Sequence, residues 1–254
     1  MSTGSRDVRP SEGWGVVHLM LTARRGEAGG EAIASAVADF VAIDPQQVIA
    51  FSVLGGRADF GLMAISPDLD ALDRLTKAVL AGPVDCAYSF VSLTESSPYT
   101  STEDDERARL EGAGEPDIEG ALATWRARME HYLDARLHPR LPDRAMLAFY
   151  PMAKTRTVGA NWYELTFDER KALMQGHATV GRRYAGRILQ LITGATGLDD
   201  WEWGVTLLAD DPVAIKAIVE EMRYDLVSAR YGLFGPFYVG LVMPISEALS
   251  RSLL

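Results

Sequence analysis

The sequence predicts an α+β fold of two ferredoxin-like units in tandem, with antiparallel sheets packed as a barrel and the helices outside. Two observations lead to this prediction. Apolar patterns follow the order β-α-β-β-α-β in the first half and again in the second. Residues 59–68 also resemble residues 202–211 in pattern, at a constant offset of 143.

The first unit is predicted over residues 13–93. It follows residues 1–12, a polar segment that we expect to be a flexible tail. Short apolar runs predict strands, and apolar spacing near 3.6 residues predicts helices. The predicted elements are a strand over 15–22, a helix over 31–42, a hairpin of strands over 47–54 and 59–65, a helix over 68–80 and a strand over 88–93.

A change of composition separates the two units at residues 94–144. Residues 94–119 contain nine acidic residues together with scattered Ser, Gly and Pro, which predicts a solvated connector. A polar helix is predicted after it, from Gly120 to Arg136.

The second unit is predicted over residues 145–254. Thr166 and Glu169 form a capping-box pair at the start of one helix, and Asp211 and Pro212 are typical first residues of another. The predicted elements are a strand over 145–150, a helix over 166–187, a hairpin over 188–193 and 201–209, a helix from 211 and a strand over 237–242.

Composition argues against several classes of function. The hydrophobic fraction of 48% and the charged fraction of 24% are those of soluble globular proteins. We expect a cytoplasmic protein without membrane insertion, because the sequence lacks a long apolar run and an apolar signal core at its start. The net charge of −10 argues against a nucleic-acid partner. The single cysteine, Cys86, excludes an internal disulfide and is expected to be buried.

Four histidines are candidates for chemistry. His18 lies in an apolar strand and is expected to be a core residue, and His131 lies in a charged helix and is expected to be solvated. His138 lies between prolines and could face a pocket. His177 shares a helix face with other apolar residues, which predicts burial, although this pattern alone favours a structural histidine over a ligand.

Two glycines beside His177, Gly176 and Gly181, suggest a further role for its helix. Each costs about 1 kcal/mol relative to alanine in a helix interior. A flat object packed closely against the helix would explain that cost.

The strand that contains Tyr150 combines a phenol, a thioether and two cations. Alternation places Tyr150, Met152, Lys154 and Arg156 on one face, and Pro151 marks an edge or a bulge. The pattern fits a carboxylate-binding redox site, and it fits an edge strand with a solvated basic end equally well.

Six motifs, dense between Arg136 and Gly240, resemble those of the chlorite dismutase superfamily, most closely its coproheme decarboxylase branch. The resemblance implies a homopentamer of chains that each contain two ferredoxin-like units. The motifs are Tyr150-Pro-Met-Ala-Lys-Thr-Arg, Met174-Gln-Gly-His, Gly181-Arg-Arg-Tyr-Ala-Gly, Gly197-Leu-Asp-Asp-Trp-Glu-Trp-Gly-Val, Glu221-Met-Arg-Tyr-Asp and Phe234-Gly-Pro-Phe-Tyr-Val-Gly.

The resemblance implies a role for individual residues. His177 corresponds to the proximal iron ligand and Tyr150 to the catalytic tyrosine that becomes a radical. Gln190 stands thirteen residues after His177, where chlorite dismutases have a distal arginine, and glutamine there favours the decarboxylases. A distal histidine, as in actinobacterial decarboxylases, would have to be His131 or His138.

The remaining implied residues bind the porphyrin or support the iron ligand. Glu221 is a candidate partner of the His177 imidazole, because a ligating histidine usually donates its other N–H to a carboxylate or a carbonyl. The alternative for Glu221 is an ordinary surface residue of its helix. The residues implied to contact propionates are Arg136, Lys154 and Ser228, with Met152 beside one propionate and Tyr99 at a further one.

The implied reaction is a peroxide-dependent decarboxylation. Iron coproporphyrin III (coproheme) would be both substrate and redox centre, and hydrogen peroxide the oxidant. Two propionates would become vinyl groups through a three-propionate intermediate, giving haem b, with transient contact to coproporphyrin ferrochelatase. The alternatives are a haem carrier or sensor without catalysis, and a chlorite dismutase.

Overall fold

The structure is a computed structural model that describes residues 8–254, so the first seven residues of the predicted tail lie outside it. The rest of that segment is attached to the domain. The Leu69 N–H donates a hydrogen bond to the Val8 carbonyl (2.9 Å), and the Ser96 hydroxyl donates one to Glu12 (3.1 Å).

The first half has the predicted order of strands and helices, with boundaries that differ by a few residues. Asp68 caps the second helix by accepting a hydrogen bond from the Asp70 N–H. The elements are β1 (Gly15–Ala23), α1 (Gly30–Val41), β2 (Gln47–Val53), β3 (Phe60–Ser66), α2 (Leu69–Leu80) and β4 (Val84–Thr94).

The predicted connector contains a helix that its composition did not predict. Helix α3 (Glu103–Ala113) begins at a capping box in which Thr102 and Asp105 exchange hydrogen bonds, and it ends at Gly114 in the left-handed region. Leu110 is its one buried residue, so apolar periodicity gives little signal. The next helix, α4 (Ile118–Leu137), confirms the predicted polar helix.

The second half repeats the pattern and adds short elements. The capping box at Thr166 and Glu169 is confirmed, and so are the Asp211 cap and Pro212 at the first position of its helix. The elements are β5 (Met146–Lys154), β6 (Arg156–Thr157), β7 (Ala160–Asn161), a 3₁₀ turn (Trp162–Glu164), α5 (Phe167–Arg182), β8 (Ile188–Gly194), β9 (Trp203–Ala209), α6 (Pro212–Tyr224), α7 (Leu226–Tyr231), β10 (Gly232–Phe234), β11 (Tyr238–Val242) and α8 (Ile245–Arg251).

Strands from both halves form one nine-stranded sheet instead of two separate sheets. Its order is β10-β5-β11-β2-β3-β1-β4-β8-β9, and a further pairing of β5 with β9 closes a ring of eight strands. The pairs between strands of the sheet are antiparallel. The fold is therefore α+β, and the interpretation of its halves as ferredoxin-like repeats stays a prediction.

The sheet has an inner and an outer face because strand side chains alternate. Inside the ring, His18 is fully buried, stacks on Phe149 at 4.0 Å between centroids and hydrogen-bonds Thr206 at 2.9 Å, as expected of a core residue. Burial lowers the pKa of His18 to about 3. On the outer face, α1, α2 and α8 cover the first half and α6 covers the second.

The expectation of a buried cysteine is wrong, since Cys86 is exposed on β4. In the described chain β4 pairs with β8 only at Leu93 and Thr94, so its earlier residues have no strand partner on that side, where the Val91 N–H donates to the Asp199 carboxylate (3.0 Å). Among residues 8–254, no helix has both the length and the apolar character needed to cross a membrane.

Candidate functional site

The outer face of the sheet in the second half carries the predicted site residues of β5 and β8. Strand register arranges them in rows across β8, β9 and β5: Gln190, Leu207 and Ala148; Ile192, Val205 and Tyr150; Gly194, Trp203 and Met152. Tyr150 and Met152 therefore share one face, as alternation predicts, and belong to one apolar cluster.

Tyr150 is held between aromatic rings. Its ring stacks on Phe237 at 4.3 Å and leans against Phe234 at 6.1 Å between centroids. The side chain is 9% exposed, and burial raises the pKa of the phenol to about 12. The phenol is therefore protonated at neutral pH and retains a hydrogen atom that a radical reaction can use.

Pro151 interrupts β5 where one of its neighbours changes. Before it, Phe149 pairs with Tyr238 of β11, and after it, Met152 pairs with Phe234 of β10. The loop between β11 and β10 contains Phe237, which reaches Tyr150 at this point. Proline is tolerated here because a strand that changes partner has no continuous ladder on that side.

Helix α5 lies over this face and carries His177. Its buried residue, Gly181, accepts a hydrogen bond from Gln190 Nε2 through its carbonyl (3.1 Å). The predicted apolar face is only half-buried at His177, and the helix ends at Arg182 instead of Arg187. An added Cβ at Gly176 would meet no described atom within 4 Å, so no described part of the chain packs against that glycine, and the close packing of a flat object there stays a prediction.

The partner of His177 is Asp225, and the prediction of Glu221 is wrong. His177 Nδ1 lies 2.8 Å from Asp225 Oδ2, and that carboxylate also accepts the Ser228 N–H at 3.2 Å. Glu221 instead accepts hydrogen bonds from Arg183 and from the Tyr184 hydroxyl. A carboxylate accepts, so this contact places an N–H on Nδ1, and in a neutral imidazole Nε2 would be the nitrogen available to a metal.

Lys154 is a buried cation beside these groups. It is 7% exposed, and its Nζ lies 4.9 Å from the centroid of the Trp162 ring. Burial lowers the pKa of Lys154 to about 8, against the attraction of Asp225 and Glu202. Within residues 8–254, no carboxylate lies within ion-pair distance of Nζ, which leaves the ammonium available to an anion.

Glu202 is a buried carboxylate that sequence reasoning missed. It is 6% exposed, accepts the Lys154 backbone N–H at 2.8 Å and forms an ion pair with Arg156. Its position before β9, in the Trp-Glu-Trp motif, was the only sequence signal for this role. The Glu202 carboxylate fixes the backbone at Lys154, and Arg156 pairs with Glu202 instead of lining the site face.

The other predicted porphyrin contacts lie around the same region. Arg136 has a buried Nε without a hydrogen-bond partner in the described chain. Burial raises the pKa of the nearby Glu95 carboxyl, against the hydrogen bond from Trp203 and the charge of Arg136. Ser228 is buried in the first turn of α7. Tyr99 stacks on Phe167 at 5.7 Å and accepts a hydrogen bond from Arg170, so it contacts the start of α5.

His138 and His131 differ from Gln190 in their surroundings. His138 is exposed, bonds Asp134 at 2.7 Å and lies 5.2 Å from the Trp14 ring. His131 is exposed on α4. Of these three residues, Gln190 contacts the helix of His177 in the described chain, through its hydrogen bond to Gly181.

Comparison with known proteins gives the family. The family model described as chlorite dismutase matches residues 30–243. The chain belongs to the chlorite dismutase family. A solved structure described as a novel heme-binding protein from Thermus thermophilus is 35% identical, covers 98% of this chain and 99% of its own, and has a TM-score of 0.76.

Other known proteins match at lower identity or over part of their length. A chlorite dismutase variant from Candidatus Nitrospira defluvii shares the fold, with 16% identity, a TM-score of 0.68 and coverage of 96% of this chain and 98% of its own. A protein from Natronomonas pharaonis whose name proposes heme binding is 42% identical over 79% of this chain and 32% of its own length. A protein of similar name from Haloarcula marismortui is 39% identical over 80% of this chain and 29% of its own length. The chain thus spans about a third of these curated relatives.

Proposed function

We propose that this chain binds coproheme through His177 and, with hydrogen peroxide, decarboxylates two of its propionates to give haem b. The observation that carries the proposal is the buried, protonated phenol of Tyr150 on the sheet face that α5 covers. A buried phenol with a retained hydrogen suits radical chemistry better than ligand packing alone. Gln190, in place of a distal arginine, favours this reaction over chlorite dismutation.

The residues present fit an iron porphyrin. The Asp225 carboxylate orients His177 so that its Nε2 could bind the iron. Among the described residues, the buried Nε of Arg136 has no hydrogen-bond partner and the Lys154 ammonium has no ion-pair partner, so both suit propionate carboxylates, to which they can form charge-assisted hydrogen bonds. Apolar side chains such as Val205 and Ile192 suit a macrocycle.

The side chains divide the work of the reaction. The bound iron porphyrin would supply the two oxidising equivalents of each hydrogen peroxide, which is reduced to water. Tyr150 would give up an electron and its hydroxyl proton to the first equivalent, and the resulting tyrosyl radical would regain a hydrogen atom from the β-carbon of a propionate. Transfer of one electron from that carbon to the second equivalent would break the bond between the α-carbon and the carboxylate, which releases carbon dioxide and leaves a vinyl group. Lys154 and Arg136 hold carboxylates in place, and Phe237 fixes the plane of the phenol.

Peroxide titration of the coproheme complex tests the proposal. Mass spectrometry should show two successive losses, each of carbon dioxide and two hydrogens. A haem carrier or sensor would leave all four propionates intact, and a chlorite dismutase would release oxygen from chlorite. Either result in place of decarboxylation would overturn the proposal.

Assembly and partners belong to the same proposal. A homopentamer and transient exchange with coproporphyrin ferrochelatase are expected from the family resemblance, and a cytoplasmic location stays the expectation from the apolar pattern of the sequence. Sedimentation of the purified chain, with and without porphyrin, tests the first of these.

A further inference from the structure

Arg223 is a cation to which the proposed mechanism gives no role, and one aromatic ring separates it from Tyr150. It lies in the last turn of α6, with its guanidinium carbon 4.0 Å from the centroid of the Phe234 ring. Phe234 in turn leans against Tyr150. The three groups form a short stack that runs from the exposed end of α6 to the buried phenol.

The charge of Arg223 is not compensated by the chain itself. No carboxylate between residues 8 and 254 lies within ion-pair distance of its guanidinium. The two nearest acids in sequence have other partners: Glu221 binds Arg183 and Tyr184, and Asp225 binds His177. By contrast, Arg144 and Arg156 in the same half each pair with a carboxylate.

Stacking leaves the binding capacity of Arg223 intact. A guanidinium contacts an aromatic ring through its flat face, whereas its N–H donors point outward in the guanidinium plane. Those donors match the two oxygens of a carboxylate in a bidentate pair. A ligand carboxylate bound there would lie beside the ring that touches Tyr150.

We propose that Arg223 is a carboxylate-binding residue of the porphyrin site and that it holds the propionate on which Tyr150 acts. The inference rests on the proposed function and adds one residue to it. Lys154 is buried and fixed, whereas Arg223 is exposed on α6, so it can receive a carboxylate from solvent. The held propionate loses its carboxylate in the reaction, so Arg223 contributes to binding of substrate and not of product.

Equilibrium titrations without peroxide test this difference. Ferric coproheme and haem b are each titrated into wild type, Arg223→Gln, Arg223→Lys and the control Arg182→Gln, an exposed arginine of α5 that bonds Thr179. Arg223→Gln should weaken coproheme binding about tenfold and change haem b binding less than about twofold. Arg223→Lys should recover part of the loss, and Arg182→Gln should bind both as wild type does.

Two results would overturn the inference: unchanged coproheme binding by Arg223→Gln, or an equal loss for both porphyrins. Unchanged thermal unfolding of Arg223→Gln shows that the variant is folded, as expected for an exposed side chain. Failure of the proposed function is a separate result. In that case wild type with peroxide would release no carbon dioxide, while the selective loss in Arg223→Gln would remain.

Discussion

Replacing Lys154 with methionine should stabilise the folded protein at pH 7 while weakening porphyrin binding. Burial lowers the pKa of Lys154 from 10.5 to about 8, so the folded state holds the proton less tightly than the unfolded state. At pH 7 both states are protonated, and the buried charge costs about 3 kcal/mol of folding free energy. The variant also loses the contact with Trp162, which costs it about 1 kcal/mol, so its unfolding free energy should rise by about 2 kcal/mol in total.

The gain should shrink at high pH. Between pH 8 and 10.5 the unfolded state binds more protons than the folded state, so wild-type stability rises with pH. By pH 10 the folded-state amine is neutral and the cost of Lys154 has fallen to about 1 kcal/mol, so the advantage of Lys154→Met should be about half of its value at pH 7. Urea unfolding followed by tryptophan fluorescence at pH 7 and pH 10 measures both values.

Lys216→Met is the matched control, because Lys216 is exposed and pairs with Glu220 at 2.7 Å on the surface of α6. Its effect should stay below about 0.5 kcal/mol at either pH. The reasoning fails if Lys154→Met is less stable than wild type at pH 7, or if its advantage is as large at pH 10.

Three further predictions address the phenol, the iron ligand and the core. Tyr150→Phe should bind coproheme as wild type does and release no carbon dioxide with peroxide; retained turnover would remove Tyr150 from the mechanism. Asp225→Asn removes the carboxylate from His177, so the iron–histidine stretching frequency of the ferrous complex should fall. Asparagine still caps α7, so the unfolding temperature should change little. An unchanged stretching frequency would contradict the pairing of His177 with Asp225. His18 stays neutral when folded and gains a proton below pH 6.5 when unfolded, so lowering the pH from 7 to 4 should cost about 3 kcal/mol. His18→Phe should lose correspondingly less stability in urea unfolding over that range, and an equal loss would contradict the burial argument.

Most of the elements were predictable because their signals are local. Apolar spacing and the caps at Thr166 and Asp211 act within a few residues, and the structure follows them. Helix α3 was missed because it lacks an apolar face, although its Thr102 and Asp105 capping box was visible in the sequence. A barrel was predicted, but the pairings that join both halves in one ring were not, since they link β5 to strands distant in sequence.

The types of residue in the candidate site were predictable from the sequence, whereas the pairs that these residues form were not. Sequence reasoning named Glu221 alone as the partner of His177, although Asp225 follows it four residues later. The structure separates them because α6 ends at Tyr224 and Asp225 begins α7, which turns its carboxylate towards His177. Arg223 and Phe237 were similarly hidden, because their contacts with Phe234 and Tyr150 cross between elements.

Closure of the ring limits how Tyr150 can serve two sites on one substrate. Strand β5 is hydrogen-bonded along both edges, to β9 on one side and to β11 and β10 on the other, so it cannot slide without breaking several ladders at once. The Tyr150 phenol therefore keeps one position on the sheet. Under the proposed function, the half-converted porphyrin has to rotate in its plane or leave and rebind. The time between the two releases of carbon dioxide would then measure how long this repositioning takes.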